Sequence, residues 1–347
     1  MKVFHNIFPE IIKIENILKV WQEFKSGKAN KIDVISFERN LEDNLFELFQ
    51  ELKEKNYKHS PYWGFKISDP KPRNIHKAEI KDRIVHYLIS KELERIYEST
   101  FFPWSYSSRK GKGIHKALRD LIKTSRKLSG NYTRNFYYLK CDIKKFFDSI
   151  DHQVLIEILK KKIKDKDFLW LLDEIIRSFH SELGRNKGIP LGNLTSQYFA
   201  NIYLNQLDCF IKQDLKIKFY FRYADDFLIL DKGRKALEDL LLKISKFLKE
   251  KLSLKLHPER LKIGKFSWGI DFVGYIILPH YILPRIKTKR RALERMKEQF
   301  RLFQEERIGL KDIKATIDSY LGLLKHCDSY EFQRELKNQI IFYEKRI

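Results

Sequence analysis

The order of elements written into residues 135–265 predicts an α+β fold: strand, helix, helix, hairpin, helix, strand, the succession of a split βαβ (ferredoxin-like) unit whose sheet carries helices on one face and leaves the other open to a ligand. Three observations carry that expectation. NFYYLKCD at 135–142 and FYFRYADDFLIL at 219–230 are aromatic and β-branched runs of strand length. Around them, apolar residues recur three and four positions apart, the helical period. Two adjacent carboxylates, Asp225 and Asp226, interrupt the second run, and no glycine stands anywhere in 219–232 although tight hairpins favour Asn-Gly or Asp-Gly.

Along the chain, residues 10–55 alternate apolar and charged positions at helical spacing, with Leu41, Leu45, Leu48 and Leu52 on one stripe. YWGFKISDPKPRNIHKAEI reads as strand, Pro-containing turn and strand, and residues 81–100 as an amphipathic helix. A basic, Gly-containing segment, SSRKGKGIHKALRDLIK, leads into another helix. After the strand ending at Asp142, DSIDHQVLIEILKKKI begins a helix for which Asp148, Ser149 and Asp151 offer N-caps. GIPLGNLTSQYFANIYLNQLD is a Gly/Pro loop entering a helix with Phe199, Ile202 and Tyr203 on one side, and Leu237, Leu240, Leu241, Ile244, Phe247 and Leu248 mark a later helix. LSLKLHPERLKI and GIDFVGYIILPHYILP read as strands, and the charged, helical stretch from Lys287 onward reads as a separate small domain.

The 347-residue chain carries 69 Lys and Arg against 46 Asp and Glu, a net charge of +23, a field that attracts polyanions and nucleic acid first among them. Cys141, Cys209 and Cys327 are scattered, which excludes a CxxC zinc site and a disulfide framework and suits a reduced compartment. No apolar run approaches the ~20 residues of a membrane span. The N-terminus has no signal-peptide core, so a soluble, cytoplasmic protein without membrane association is expected.

The paired carboxylates demand a cation. A lone Asp-Asp turn is commonplace, but like charges this close repel unless a cation lies between them. Hard divalent ions take oxygen ligands, carboxylates together with substrate phosphates. Asp142 ends a neighbouring strand in the expected sheet and would face Asp225, with the spacing to hold two ions about 4 Å apart.

YADD in an apolar hairpin, preceded by CDIKKFFDSIDH and IPLGNLTSQYFANIYLNQLD, resembles a reverse transcriptase. FKISDPKPRNIHKAEIKDRIVHYL and WSYSSRKGKGIHKAL are similar to the fingers motifs, and LKLHPERLKI and IDFVGYII to the palm-end and primer-grip motifs, in family order over roughly 60–280. The resemblance implies a right-hand polymerase: an N-terminal helical extension (1–60), fingers (61–135), a palm (136–283, with part of the fingers interleaved) and a short helical thumb (284–347). In LGNLTSQ, Leu191 and Gln197 replace the Gln and Pro of the QG…SP pattern carried by most bacterial members, group II intron enzymes included. That replacement resembles the diversity-generating retroelement branch, whose error-prone copying serves mutagenic retrohoming.

The resemblance implies roles for particular residues. Asp142 and Asp225, with Asp226 and the Ile143 carbonyl, would hold two Mg²⁺ ions, or Mn²⁺ in their place. Lys66 and Arg73 would meet the nucleotide triphosphate. Phe147 matches the steric gate against a ribose 2′-hydroxyl. Leu191, Gly192 and Gln197 would lie against the nascent pair, Leu191 without the hydrogen bond a Gln supplies. Arg109, Lys110 and Lys112 are candidates for template or phosphate contact. Arg260 stands where the palm-end motif usually has Lys, so either it acts electrostatically or Lys262 serves as general acid. Asp148 and Asp151 read as helix caps. The implied partners are template RNA, primer and cDNA, dNTPs and a small helical accessory protein. Two rivals share much of this chemistry: a retron-like or antiviral-defence reverse transcriptase using its own RNA or no template, and a non-catalytic nucleic-acid-binding protein on the same scaffold.

Overall fold

The computed structural model describes residues 2–68 and 72–344. Four helices open the chain, α1 (Phe8–Ile11), α2 (Ile14–Lys25), α3 (Ile32–Glu38) and α4 (Leu41–Lys53), and α2, α3 and α4 pack on α5 (Ile80–Tyr97). Leu45, Leu48 and Leu52 of the expected stripe are the buried side of α4. α5 is buried around most of its circumference rather than along one stripe, and its buried Asp82 is partnered, accepting from the Tyr57 hydroxyl at 2.6 Å and the Ser60 amide at 3.2 Å. Between them, β1 (Trp63–Ile67) and β2 (Arg73–Lys77) form an antiparallel hairpin, whose expected turn at 69–71 lies outside the described residues. The basic segment leads into α6 (Ile114–Leu128).

The central sheet follows the expected order. β3 (Tyr137–Asp142), α7 (Phe146–Ser149), α8 (His152–Lys162), α9 (Lys166–Arg177), α10 (Leu194–Cys209), β4 (Phe219–Tyr223), β5 (Asp226–Asp231), α11 (Arg234–Leu252) and β6 (Lys262–Lys265) succeed one another. The strands are antiparallel in the order β4-β5-β3-β6, so sequence neighbours on the β3 side are joined by helical crossovers, as a split βαβ unit requires. Leu139, Cys141, Phe227 and Ile229 join the main core with α8, α10 and α11.

The other face of the sheet is not open, contrary to expectation. Tyr138, Phe221, Leu228 and Leu230 are buried in a second core with Leu118 and Leu121 of α6 and Phe266, Phe272 and Tyr275. Strands apolar on both sides need cover on both sides. At the β4–β5 turn, Tyr223, Ala224, Asp225 and Asp226 are half-buried. LSLKLHPERLKI also departs from expectation: only Lys262–Lys265 is strand, and Pro258–Arg260 is a 3₁₀ turn, proline having no amide hydrogen to give a ladder.

A small sheet follows, β7 (Ile270–Phe272), β8 (Tyr275–Ile277) and β9 (Ile282–Pro284), then α12 (Ile286–Gln304), α13 (Leu310–Leu324) and α14 (Tyr330–Glu344). Ala292, Met296, Ile313, Ile317 and Leu324 lie in a core of these helices' own, and the Tyr275 hydroxyl donates to the Leu323 carbonyl at 2.9 Å to tie them to the small sheet.

Candidate active site

The last pair of the β4–β5 ladder is Tyr223 with Asp226, which leaves Ala224 and Asp225 as a two-residue turn. Ala224 holds φ +53°, a left-handed conformation that such turns normally give to Gly, Asn or Asp. The last pair of the β3–β5 ladder is Asp142 with Asp226. Asp142 therefore faces Asp226 across the strands, one register step from the expected partner, and Asp225 sits on the turn above them. Ile143, 1% exposed, bridges Leu256, so its backbone alone is available beside Asp142.

The electrostatics of the cluster call for positive charge. Burial, and then the charge of Asp142, push the Asp225 carboxyl up to about 6. Burial pushes Asp226 up to about 7 against the opposing pull of Lys140, whose Nζ stands 3.6 Å away. Asp226 Oδ1 is buried with no hydrogen-bond partner. Arg260 Nη1 donates to both oxygens of Asp142, at 3.2 and 3.1 Å, and remains 49% exposed. Among the described residues no three acidic, His or Cys side chains are gathered into a ready metal-ligand set. The orphaned oxygen and the raised carboxyls nonetheless fit a hard divalent cation in chemistry and charge.

A pH dependence follows from these groups. Both carboxyls titrate above the ~3.9 of an unfolded Asp. From roughly pH 4 to 7 the folded chain thus binds more protons than the unfolded one, so the stability this pair contributes is greatest at low pH and declines as pH rises through about 6 and 7. A divalent cation must displace those protons. Calorimetric titration with Mg²⁺ is expected to give an affinity at least about tenfold tighter near pH 8 than near pH 5.5, and equal affinities would refute the assignment.

A cavity of about 560 Å³ is lined by Lys66, Arg73, His76, Lys145, Asp148 and Leu191, among others, and the charge of Arg73 reaches Asp225. Lys66 pairs in register with Asn74 and Arg73 with Ile67, so the two cations are offset by one step along the hairpin yet line the same space. The LGN loop is pinned to β2: the His76 amide donates to the Leu191 carbonyl at 2.8 Å and Asn193 Nδ2 to the His76 carbonyl at 3.0 Å. Gly192, at φ +113°, is required there, because a Cβ would come within 2.9 Å of Ile75.

Phe147 is aimed by its neighbours. Lys145 takes φ +46°, Phe146 enters the core, and Phe147 stays half-buried with its carbonyl held by the Ile189 amide at 2.9 Å. Phe147, Gln197 and Ala224 share the lining of a second, smaller cavity.

Three expectations need revision. Asp151 caps α8, accepting from the Gln153 and Val154 amides at 3.0 and 3.2 Å, but Asp148 caps nothing: it lies inside the one-turn α7 and lines the cavity, its carboxyl raised chiefly by burial. Arg109 is folded inward rather than presented to a template. Its side chain is 6% exposed and bonded to Glu98 at 2.8 Å and to the Phe102 and Ser105 carbonyls at 2.7 and 2.9 Å. Lys110 is exposed and paired with Glu94 at 2.8 Å, while Lys112 bonds the Pro103 carbonyl at 2.8 Å. Lys262 is exposed and lies opposite Lys140 in the β3–β6 register, leaving Arg260 as the cation in contact with Asp142.

The sequence reading missed the supports of the site. Lys140 bridges Asp226 to the Asp271 carbonyl, 2.6 Å from its Nζ, and Asp271 pairs with Arg285. Arg222 and Asp208 form a buried ion pair behind the YADD turn. A charged residue in the middle of an apolar strand was the available signal for Arg222.

Residues 58–277 match the reverse transcriptase (RNA-dependent DNA polymerase) family, and the chain belongs to it. Its fold is accordingly the α+β right-hand polymerase fold. Protein YkfC of Escherichia coli (strain K12) is 27% identical over 247 residues, 61% of this chain and 64% of that protein. The group II intron-encoded protein LtrA of Lactococcus lactis subsp. cremoris is 26% identical over 327 residues, 89% of this chain and 53% of that protein. The chain thus spans roughly half to two thirds of these relatives' lengths. The structure of apo telomerase from Candida tropicalis, truncated from its C-terminal domain, is 16% identical at a TM-score of 0.48, over 68% of this chain and 59% of that one. Among the described residues no helix is long and apolar enough to cross a membrane.

Proposed function

We propose that this chain is an RNA-directed DNA polymerase that copies a template RNA into cDNA for a diversity-generating retroelement, with low fidelity. The observation that carries the enzymatic reading is the meeting of Asp142 and Asp226 at paired strand ends, with Asp225 on the turn above and an unpartnered carboxylate oxygen among them. Residues 61–135 serve as fingers, 136–283 as palm with part of the fingers interleaved, and 284–347 as thumb, behind a helical extension at 1–60.

Asp142, Asp225 and Asp226, with the Ile143 carbonyl, hold the divalent ions. When bound, Mg²⁺ lowers the pKa of the primer 3′-hydroxyl and neutralises charge on the triphosphate. Lys66 and Arg73 meet the triphosphate from the fingers hairpin and offset its charge. A guanidinium is a poor proton donor, so the part of Arg260 is electrostatic, balancing the leaving pyrophosphate. Exposed Lys110 and thumb cations hold the phosphate backbone without reading sequence.

The low-fidelity reading rests on Leu191. Its backbone is pinned to β2, its aliphatic side chain offers the incoming nucleotide no hydrogen bond, and a site without that bond discriminates weakly. Template RNA, primer, dNTPs and a small helical accessory protein are the partners of this reading. Primer extension on RNA with Mg²⁺, followed by sequencing of the product, tests it: synthesis with errors concentrated opposite template adenine is expected, and absence of synthesis with and without a candidate accessory protein refutes it. Leu191→Gln is expected to reduce misincorporation opposite adenine by about tenfold, one hydrogen bond's worth. An unchanged error spectrum would count against the loop's role. The match to LtrA over 89% of this chain favours a second reading, an enzyme that copies a structured RNA of its own with ordinary fidelity. A product without adenine-directed errors would favour that reading.

A further inference from the structure

Arg222, in the middle of β4, has 0% of its surface exposed and is the bulkiest of the fully buried side chains. Its Nε and Nη2 donate to Asp208 Oδ1 and Oδ2 at 2.7 and 2.6 Å, a fork-to-fork pair, and the Tyr220 hydroxyl donates to the same Oδ1 at 2.7 Å. The remaining arm points elsewhere. Nη1 donates to the Ala224 carbonyl at 3.1 Å and to Asn201 Oδ1 at 3.2 Å, and Asn201 Nδ2 donates to the Ser107 carbonyl at 3.0 Å. The Arg222 backbone is bonded too, its amide to the Trp104 carbonyl and its carbonyl to the Tyr106 amide, both at 2.9 Å. One buried network therefore joins α10, β4 and the 104–107 segment, and it ends on the turn carbonyl directly before Asp225.

Stability alone is a weak reason for such a network, because apolar side chains of similar volume often replace a buried ion pair without loss. The backbone it reaches supplies a better one. Ala224 holds a left-handed φ of +53° with a Cβ that disfavours it, and a strained residue persists only where its surroundings over-determine it. Arg222 has the geometry to do so: Asp208 fixes two arms of the guanidinium, and the rigid plane delivers the third to the turn.

We infer that the Arg222–Asp208 pair is a positioning clamp that holds the Ala224–Asp225 turn in its strained shape and so sets Asp225 against Asp142 and Asp226. Neither residue touches substrate; both act through the turn. The inference rests on the polymerase reading and adds to it the part that fixes the site's geometry.

The test uses the full chain and three readouts: melting temperature, Mg²⁺ affinity by calorimetry, and kcat and KM in primer extension. The triple variant Asp208→Leu, Tyr220→Phe, Arg222→Met removes the network without stranding a charge. A kcat lower by about a hundredfold is expected, the cost of roughly an ångström of misplacement. Mg²⁺ affinity is expected to weaken, with KM for dNTP little changed and a folded protein retained. Adding Ala224→Gly, which is at ease at positive φ, is expected to recover part of the lost kcat. Should the triple variant not fold, Arg222→Lys keeps the charge on Asp208 but cannot span to the turn, and the same kcat loss is expected. Wild-type kcat and Mg²⁺ affinity in the variants would overturn the clamp, as would a kcat loss that glycine at 224 does not relieve. A wild-type chain that neither binds Mg²⁺ nor extends a primer would overturn the polymerase reading itself, and the clamp with it.

Discussion

Asp142→Asn and Asp225→Asn are each expected to abolish Mg²⁺-dependent DNA synthesis, lowering kcat by about a thousandfold or more, while leaving RNA binding nearly intact. The size follows from the site. A metal-held transition state gains several kcal/mol of charge stabilisation, and each 1.4 kcal/mol or so is tenfold in rate. Asn keeps the shape of Asp but removes the charge that would hold the ion. RNA affinity should survive because cations spread over a chain of net charge +23 would supply it, not this cluster. Thermal unfolding separates loss of function from loss of fold. Asp225 is buried and raised by the charge of Asp142, so neutralising either residue relieves repulsion in the metal-free protein. At about pH 8 the Asn variants should therefore melt at or slightly above the wild-type temperature while being inert. Full synthesis by either variant would remove the metal assignment, and a melting temperature many degrees lower would mean that the carboxylates serve the fold instead.

The order of elements around this cluster was legible because periodicity and strand composition are local properties. The aromatic runs, the helical spacing of Leu237 to Leu248 and the Asp151 cap all read directly. Register was not legible. Whether Asp142 pairs with Asp225 or Asp226 depends on a one-step slip set by the whole ladder, and a local pattern does not fix it. Cover on the second face of the sheet escaped for a related reason: Leu118, Leu121 and Tyr275 come from segments far from the strands they bury. Charge was the least legible of all. In a chain with 69 Lys and Arg, composition gives no sign that Arg109 is consumed by Glu98 and two carbonyls while Lys110 stays exposed. The aromatic pair at 146 and 147 was legible in kind, since adjacent rings at the start of a helix cannot both enter one core.

That pair sets the second large effect. Phe147→Ala is expected to raise incorporation of ribonucleotides relative to deoxyribonucleotides by on the order of a hundredfold, the scale on which a shaped pocket discriminates one small group. The backbone that carries the ring is held from several sides. The left-handed Lys145 turns the chain, Phe146 anchors α7 in the core with its ring edge-on to Phe147 at 5.6 Å, and the Ile189 amide fixes the Phe147 carbonyl. The half-buried Phe147 lines a cavity with Gln197 and Ala224, next to the acidic turn, where a ring would collide with a 2′-hydroxyl. If Phe147 only packs, alanine should cost stability and leave sugar choice unchanged; the loss should be well short of the ~3–5 kcal/mol of a fully buried Phe. Single-nucleotide incorporation with dNTP and rNTP, read as the ratio of their kcat/KM values, decides between the two. A shifted ratio with deoxynucleotide kcat/KM largely retained means the ring acts on the sugar. An unchanged ratio in a folded, active variant means that the selection against ribose is made elsewhere in the site.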